Sequence, residues 1–337
     1  FHPPKIETHL QKGGIRGVHM KILVVGGSRF LGLNIVQRLS ARGDEVIVAN
    51  RGQTESALPA GVQHLQVDLN QTGALADAVK DMTFDAVVHM IAMSAPRAEV
   101  VLEALEGKMG HYVQCGSVGV YAPLHCVPAD ESHPTNPRQI GPDSKYVGFS
   151  HKLAADQVAE RLCADWNVPL TILRPSAIIG AGDVPIDLWG ARNPKCFQRI
   201  IDGEVISLPN DGRALIQFGH VGDLADAFVL ALDQPDRPGI YNITSDYAIT
   251  LNYYTQILGE YLEREPVIEY VPMEQLIAMH AESGKLNESG LRFLCEHMCY
   301  TITKARETLG FNPQYTAEKA VVESVEWMLS EGLIARG

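Results

Sequence analysis

Apolar residues come in short runs separated by amphipathic stretches, and the two alternate from Met20 to about Gly180. Six runs read as buried parallel strands: Lys21–Val25, Glu45–Ala49, Val62–Val67, Asp85–Met90, His111–Cys115 and Leu170–Arg174. Each is apolar or β-branched and strand-length, as strands covered on both faces are. Between them the spacing predicts helices at Phe30–Ala41, Leu75–Asp81, Ala98–Glu106 and Ser144–Asp165. This alternation of strands and helices implies right-handed crossovers and a doubly wound parallel sheet, a Rossmann arrangement of class α/β. Ligands of such sheets bind at the carboxyl ends of the strands.

After Gly180 the rhythm breaks into turn-rich segments, with helical patterns returning at Val221–Leu232, Leu251–Leu262, Met273–Ala281 and Ala317–Leu329. This reads as a dinucleotide-binding domain over residues 20–180. Residues 181–337 then form mainly a smaller α+β substrate domain, with some segments returning to the first. Residues 1–19 lack periodicity and read as a leader or an appended extension.

The chemistry begins at the first turn. Lys21–Val25 ends in Gly26-Gly-Ser-Arg-Phe-Leu-Gly32, and a helix follows without a pause. A glycine turn lets the backbone approach a pyrophosphate, and the helix N-terminus adds N–H donors and partial positive charge. Gly26, Ser28, Arg29, Phe30, Leu31 and Gly32 are therefore expected to bind cofactor. Strand two ends Asn50-Arg51-Gly52 without an acid to accept from a ribose 2′-hydroxyl. Arg51, together with Arg29, suits a 2′-phosphate instead, because guanidinium pairs with phosphate bidentately. NADP is the expected cofactor, with NAD the alternative.

Composition narrows the classes. The 337 residues carry a net charge of −12 with no basic stripe, which disfavours a nucleic-acid partner. No apolar run reaches the roughly 20 residues of a membrane helix. The six scattered cysteines contain no C-x-x-C pair, so reduced thiols, a cytoplasmic protein and no metal site are expected.

Further landmarks stand in one order: Val67-Asp-Leu69, Asp85-Ala-Val-Val-His-Met-Ile-Ala92, Ser117-Val-Gly-Val-Tyr121, Lys152-Leu-Ala-Ala-Asp156, Leu173-Arg-Pro-Ser-Ala-Ile-Ile-Gly180, Gly219-His-Val-Gly-Asp-Leu-Ala225 and Thr303-Lys-Ala-Arg-Glu-Thr-Leu-Gly-Phe311. With the glycine turn, they resemble the extended short-chain dehydrogenases/reductases, which include nucleotide-sugar epimerases and dehydratases. The form with Arg29 at the middle glycine is similar to that of chloroplast stem-loop-binding proteins. The resemblance implies that Asp68 and Leu69 meet the adenine, although Asp68 reads equally well as a turn aspartate. It adds Ile91, Pro175 and Lys152 to the cofactor set. It also implies a homodimer through Ala98–Glu106 and Ser144–Asp165.

The same resemblance places Ser117 on the reacting oxygen and Lys152 on the nicotinamide ribose, with a tyrosine four residues before the lysine as acid/base. That position here is Gly148. Tyr146 lies six residues before Lys152, about 240° round a helix, so it can serve only from a preceding loop. Tyr121 and Lys152 itself are the other candidates. The family arginine that grips a diphosphate is replaced by Ile216, leaving Arg213 nearest; Ser176 and Tyr121 join Ser117 as expected substrate contacts. The reading is an epimerase or reductase acting by transient hydride transfer on a polyhydroxylated substrate, such as a nucleotide sugar. The alternative is a catalytically altered dinucleotide-binding protein with a binding or RNA-associated role.

Overall fold

The computed structural model describes residues 19–53, 58–135, 147–280 and 286–336. Its main sheet holds β1 (Lys21–Val25), β2 (Glu45–Asn50), β3 (Gln63–Gln66), β4 (Ala86–His89), β5 (Tyr112–Cys115), β6 (Leu170–Pro175) and a seventh strand, Gly239–Ile243. All pair in parallel, in the order Gly239–Ile243, β6, β5, β4, β1, β2, β3. The chain runs outward from β1 to β3, then returns to β4 and runs outward the other way. The crevice between β1 and β4 is thus the switch point where such sheets bind ligands.

Alternation along each strand sends side chains to opposite faces. Ile22, Val24, Val46, Val48, Val88 and Val113 meet α1 (Phe30–Arg42) and the helix Val221–Leu232. Leu23, Val25, Ile47, Val87 and Tyr112 meet α2 (Ala74–Ala78), α3 (Ala95–Ala104) and α4, described from Val147 to Asp165. Both faces are covered over the inner strands, which lack a polar side; the edge strand β3 is the exception, its Gln63, His64 and Gln66 exposed where the sequence predicted a buried strand. The expected start of the last helix at Ser144 lies outside the described residues.

Two departures from the sequence pattern bear on the site. α3 begins at Ala95 and not Ala98: Ser94 stands at the N-cap and Pro96 in the first turn, where a missing N–H costs nothing. This brings Arg97 onto the helix's opening turn. The strand Gly239–Ile243 was not foreseen; with the helix Val221–Leu232 it belongs to the first sheet.

The remaining segments build a second core around Phe197, Phe218, Tyr254, Leu258 and Val325. Short strand pairs and the helices Pro194–Ile201, Leu251–Leu262 and Ala317–Ser330 supply it. Val118, Val120 and Tyr121, from the tight turn after β5, are buried in that core. Among the described residues, no helix is long and apolar enough to cross a membrane.

Candidate active site

The phosphate turn has the geometry its glycines imply. Gly26 sits at φ 94°, a conformation a side chain would strain. A Cβ at Gly32 would lie 2.5 Å from the Gly26 carbonyl oxygen, so α1 is pressed against the turn. No side chain caps α1, and its N-cap residue is Arg29. The first-turn N–H groups therefore point to the rim without a side-chain acceptor, which suits a pyrophosphate. Phe30 opens the helix with a left-handed backbone at φ 42°. Leu31 is buried beneath it.

A cleft of about 520 Å³ opens from this turn. Gly26, Ser28, Arg29, Arg51, Asp68, Leu69 and Ile91 line it, as expected from sequence. Asn50, Gln53, Asn70, Met93, Ser94 and Arg97 line it too, and the sequence pattern did not single them out. The loop after β2 is held from both sides. Asn50 Oδ1 accepts from the Gly52 N–H at 2.7 Å and pairs with His64 Nε2 at 3.0 Å, while Gln66 Nε2 donates to the Arg51 carbonyl at 3.3 Å. Arg51 is thereby presented outward on a fixed backbone.

Arg29, Arg51 and Arg97 all lack a carboxylate partner among the described residues, and Asp68 is the one acidic residue lining the cleft. The cleft has the parts of a dinucleotide site: uncapped helix N–H groups, guanidinium groups without carboxylate partners, and apolar Leu69 and Ile91 at its walls. Asp68 forms the turn that one reading of it predicted, accepting from the Asn70 N–H at 3.0 Å.

Farther along the rim stand Ser117 and Lys152. Ser117 follows β5 and caps the turn, its Oγ accepting from the Gly119 N–H at 3.1 Å. Lys152, on α4, is buried and donates to the Cys115 carbonyl at 2.8 Å. The lysine is thus tied two residues upstream of the serine, with donors left for a ligand. Pro175 closes β6 at the same rim, opposite Ile243.

Three candidates are placed elsewhere. Tyr121 is fully buried; it donates to Asn242 Oδ1 at 3.1 Å and accepts from Arg174 Nη1 at 2.8 Å. Burial pushes its hydroxyl above the ordinary value while Arg174 pulls against that shift, and both of its hydrogen bonds are made inside the core. Ser176 is buried and donates to the Gln217 carbonyl at 2.7 Å. Arg213 is 80% exposed and pairs loosely with Asp211 at 3.6 Å. Tyr146 lies outside the described residues.

Behind Ser117 runs a buried polar layer with no periodic signature in sequence. Asp156, one helical turn after Lys152, accepts from Arg174 Nη2 at 3.0 Å and from Gln114 Nε2 at 2.8 Å. Burial pushes its carboxyl up, and Arg174 pulls against that shift. On the substrate side, Phe149 packs on the turn so closely that a Cβ at Gly119 would lie 2.1 Å from its ring, and Phe293 backs it at a ring separation of 4.3 Å. At the end of β4, His89 pairs through Nδ1 with the Tyr112 hydroxyl at 2.6 Å. Burial, and then the charges of Lys152 and Arg97, lower its pKa to about 3, so it is neutral at ordinary pH.

Residues 22–244 match the NAD dependent epimerase/dehydratase family. The chain is 28% identical over 342 residues to the 41 kDa chloroplast stem-loop binding protein b of Arabidopsis thaliana, covering 95% of this chain and 83% of that one. It is 23% identical to a UDP-glucose 4-epimerase of Corynebacterium glutamicum, covering 93% and 97%. Among solved structures, the UDP-glucose 4-epimerase of Thermotoga maritima with UDP-glucose superimposes at a TM-score of 0.72 with 20% identity, covering 92% and 99%. WbmG of Bordetella bronchiseptica with NAD and UDP superimposes at 0.70 with 17% identity, covering 96% and 98%. The chain belongs to the NAD dependent epimerase/dehydratase family, within the extended short-chain dehydrogenases/reductases.

Proposed function

We propose that this protein is an NADP(H)-dependent epimerase or reductase acting on a hydroxylated, nucleotide-linked substrate. One observation carries the cofactor choice. Three arginines face a dinucleotide-sized cleft, none has a carboxylate partner among the described residues, and β2 ends in Asn50 where an acid would read a ribose hydroxyl. The α1 N-terminus would hold the pyrophosphate, Leu69 and Ile91 would flank the adenine, and Arg29 and Arg51 would take the 2′-phosphate. When bound, the nicotinamide supplies reversible hydride transfer. Around it the chain's own groups do the rest: the Ser117 hydroxyl donates to the reacting oxygen, and Lys152 holds the ribose and places a positive charge beside it. Proton transfer falls to Lys152 or Tyr146. The substrate class draws support from relatives named as sugar-nucleotide epimerases.

The first experiment is the thermal-unfolding midpoint with NADP, NADPH, NAD and NADH in turn. A ligand at 100 times its dissociation constant adds about 2.7 kcal/mol, which a melt resolves. The larger shift is expected from the phosphorylated pair; an equal or larger shift from NAD or NADH overturns the assignment. Lys152→Met should reduce the shift or the turnover.

A second reading has its own observation. Gly148 cannot ionise, and Phe149 closes over the turn beside Ser117. A dinucleotide-binding protein with an altered catalytic end and an RNA-associated role would look this way, and its Arabidopsis relative is named a stem-loop binding protein. RNA retention that falls with salt, together with an unchanging reduced-nicotinamide band on adding sugar nucleotides, would select it.

A further inference from the structure

Asp68, Asn70 and Arg97 come from two segments that the sheet keeps apart. Asp68 and Asn70 follow β3 at the sheet edge, and Arg97 opens α3 after β4; β1 and β2 stand between. Three strand spacings separate the two segments by roughly 14 Å. Yet Arg97 Nη2 donates to Asn70 Oδ1 at 2.7 Å, so the bond spans the mouth of the cleft. On its other side Asn70 gives both its backbone N–H and its Nδ2 to Asp68 Oδ1, at 3.0 and 2.9 Å.

The orientation of the Asn70 amide follows from its neighbours. A guanidinium only donates and an ionised carboxylate only accepts, so the amide oxygen must face Arg97 and its nitrogen Asp68. Both bonds to Asp68 converge on one carboxylate oxygen. Among the described residues no hydrogen bond reaches the other, Oδ2, on a residue that lines the cleft beside Leu69 and Ile91.

We propose that Arg97 is a positioning residue: through Asn70 it holds the Asp68 carboxylate so that Oδ2 accepts from the exocyclic amino group of adenine. The relay makes the cleft select 6-aminopurine dinucleotides over 6-oxopurine ones. It rests on the dinucleotide reading above. An amino group donates to the carboxylate, whereas a 6-oxo group turns an acceptor toward it, and that mismatch is the discriminating element. The guanidinium also polarises the amide and strengthens its donation to Asp68. Without the relay, Asp68 on a surface turn samples other rotamers.

The test is titration of the wild type, Arg97→Ala, Asn70→Ala and Asp68→Ala with NADPH and with its hypoxanthine analogue. The wild type should prefer adenine by about tenfold, and Asp68→Ala should abolish the preference. Arg97→Ala and Asn70→Ala should both cut it to about threefold, and Arg97→Lys should restore part of it. Asn70 lies on an exposed turn, so its variant tests the relay without touching a core. An Arg97→Ala protein that discriminates like the wild type overturns the relay alone. An equal loss for both purines also overturns it, because Arg97 would then act on the phosphates directly. A wild type that binds neither nucleotide overturns the dinucleotide reading and the relay with it.

Discussion

The two ends of the crevice share one sheet and one rim, but they are built in opposite ways. At the β1–β3 end, exposed cations stand without carboxylate partners, the α1 N-terminus lacks a side-chain cap, and apolar walls face open space. At the β5–β6 end, the buried polar groups bond mostly to one another: Tyr121 to Arg174 and Asn242, Asp156 to Arg174 and Gln114, Ser176 to Gln217, with Gln114 Oε1 and Asn242 Nδ2 left without partners among the described residues of the layer. Phe149 fills the space over Gly119. Unpaired groups at a rim mark what a ligand must satisfy, and saturated ones mark structure. The β1–β3 end therefore stands open to a ligand, while the β5–β6 end is packed closely around Ser117 and Lys152.

The largest expected effect tests whether the β5–β6 end is locked. Asp156→Ala strands the Arg174 charge in a site where both side chains are 3% exposed or less. Removing one partner of a buried pair costs about 3–5 kcal/mol, read from denaturant unfolding. The paired replacement Asp156→Leu with Arg174→Met should recover much of that. A loss under about 1 kcal/mol in the single variant would show the layer to be loose, and the contrast between the ends would fail.

At the other end, if Arg51 takes the extra phosphate as proposed, Arg51→Ala should weaken NADPH binding by roughly 1.5–3 kcal/mol and leave NADH nearly unchanged. Equal losses for both nucleotides would place Arg51 on a shared group. Next in size, Gly119→Ala forces a Cβ into the Phe149 ring and should cost about 1–3 kcal/mol. Combined with Phe149→Ala, most of the penalty should vanish. Additive losses would mean the Gly119→Ala penalty does not arise at the Phe149 ring, and the close packing beside Ser117 would fail as its cause.

What could be read from sequence divides along the same line. β1, its glycine turn and α1 were legible because a buried strand, a turn and an amphipathic helix each leave a periodic or compositional mark. Arg97 was missed because the helical pattern was read from its apolar residues, starting at Ala98, while Ser94 and Pro96 had already begun the helix. Gly239–Ile243 is a short strand with a half-polar sequence, and only its pairing with β6 makes it part of the sheet. The Asp156–Arg174 layer joins residues 18 apart in sequence with Gln114 and Asn242, contacts that no local period encodes. The burial of Tyr121 and its bonds to Arg174 and Asn242 likewise leave no local mark in the sequence.

His89 stands where the two ends meet, and its titration gives the gentlest test of how they differ. Burial is the main reason its pKa falls to about 3, with Lys152 from one end and Arg97 from the other adding to it. Above pH 6.5 the folded and unfolded chains both hold it neutral, so it contributes no pH dependence. Below 6.5 the unfolded chain takes up a proton that the native chain refuses until about pH 3, so stability falls with acid across that window. The slope is about 1.4 kcal/mol per pH unit for one such proton. His111, lowered to about 4 by burial, adds a second over its own narrower range. Replacing His89 with Gln should remove one proton from the slope measured between pH 6 and 4, and leave His111's share in place. If Arg97→Ala and Lys152→Met each steepen nothing and shift nothing in that window, burial alone sets the histidine's pKa. If either variant lets His89 take its proton at higher pH, the slope shrinks at the acid end of the window, and that charge is felt across the boundary between the open end and the packed one.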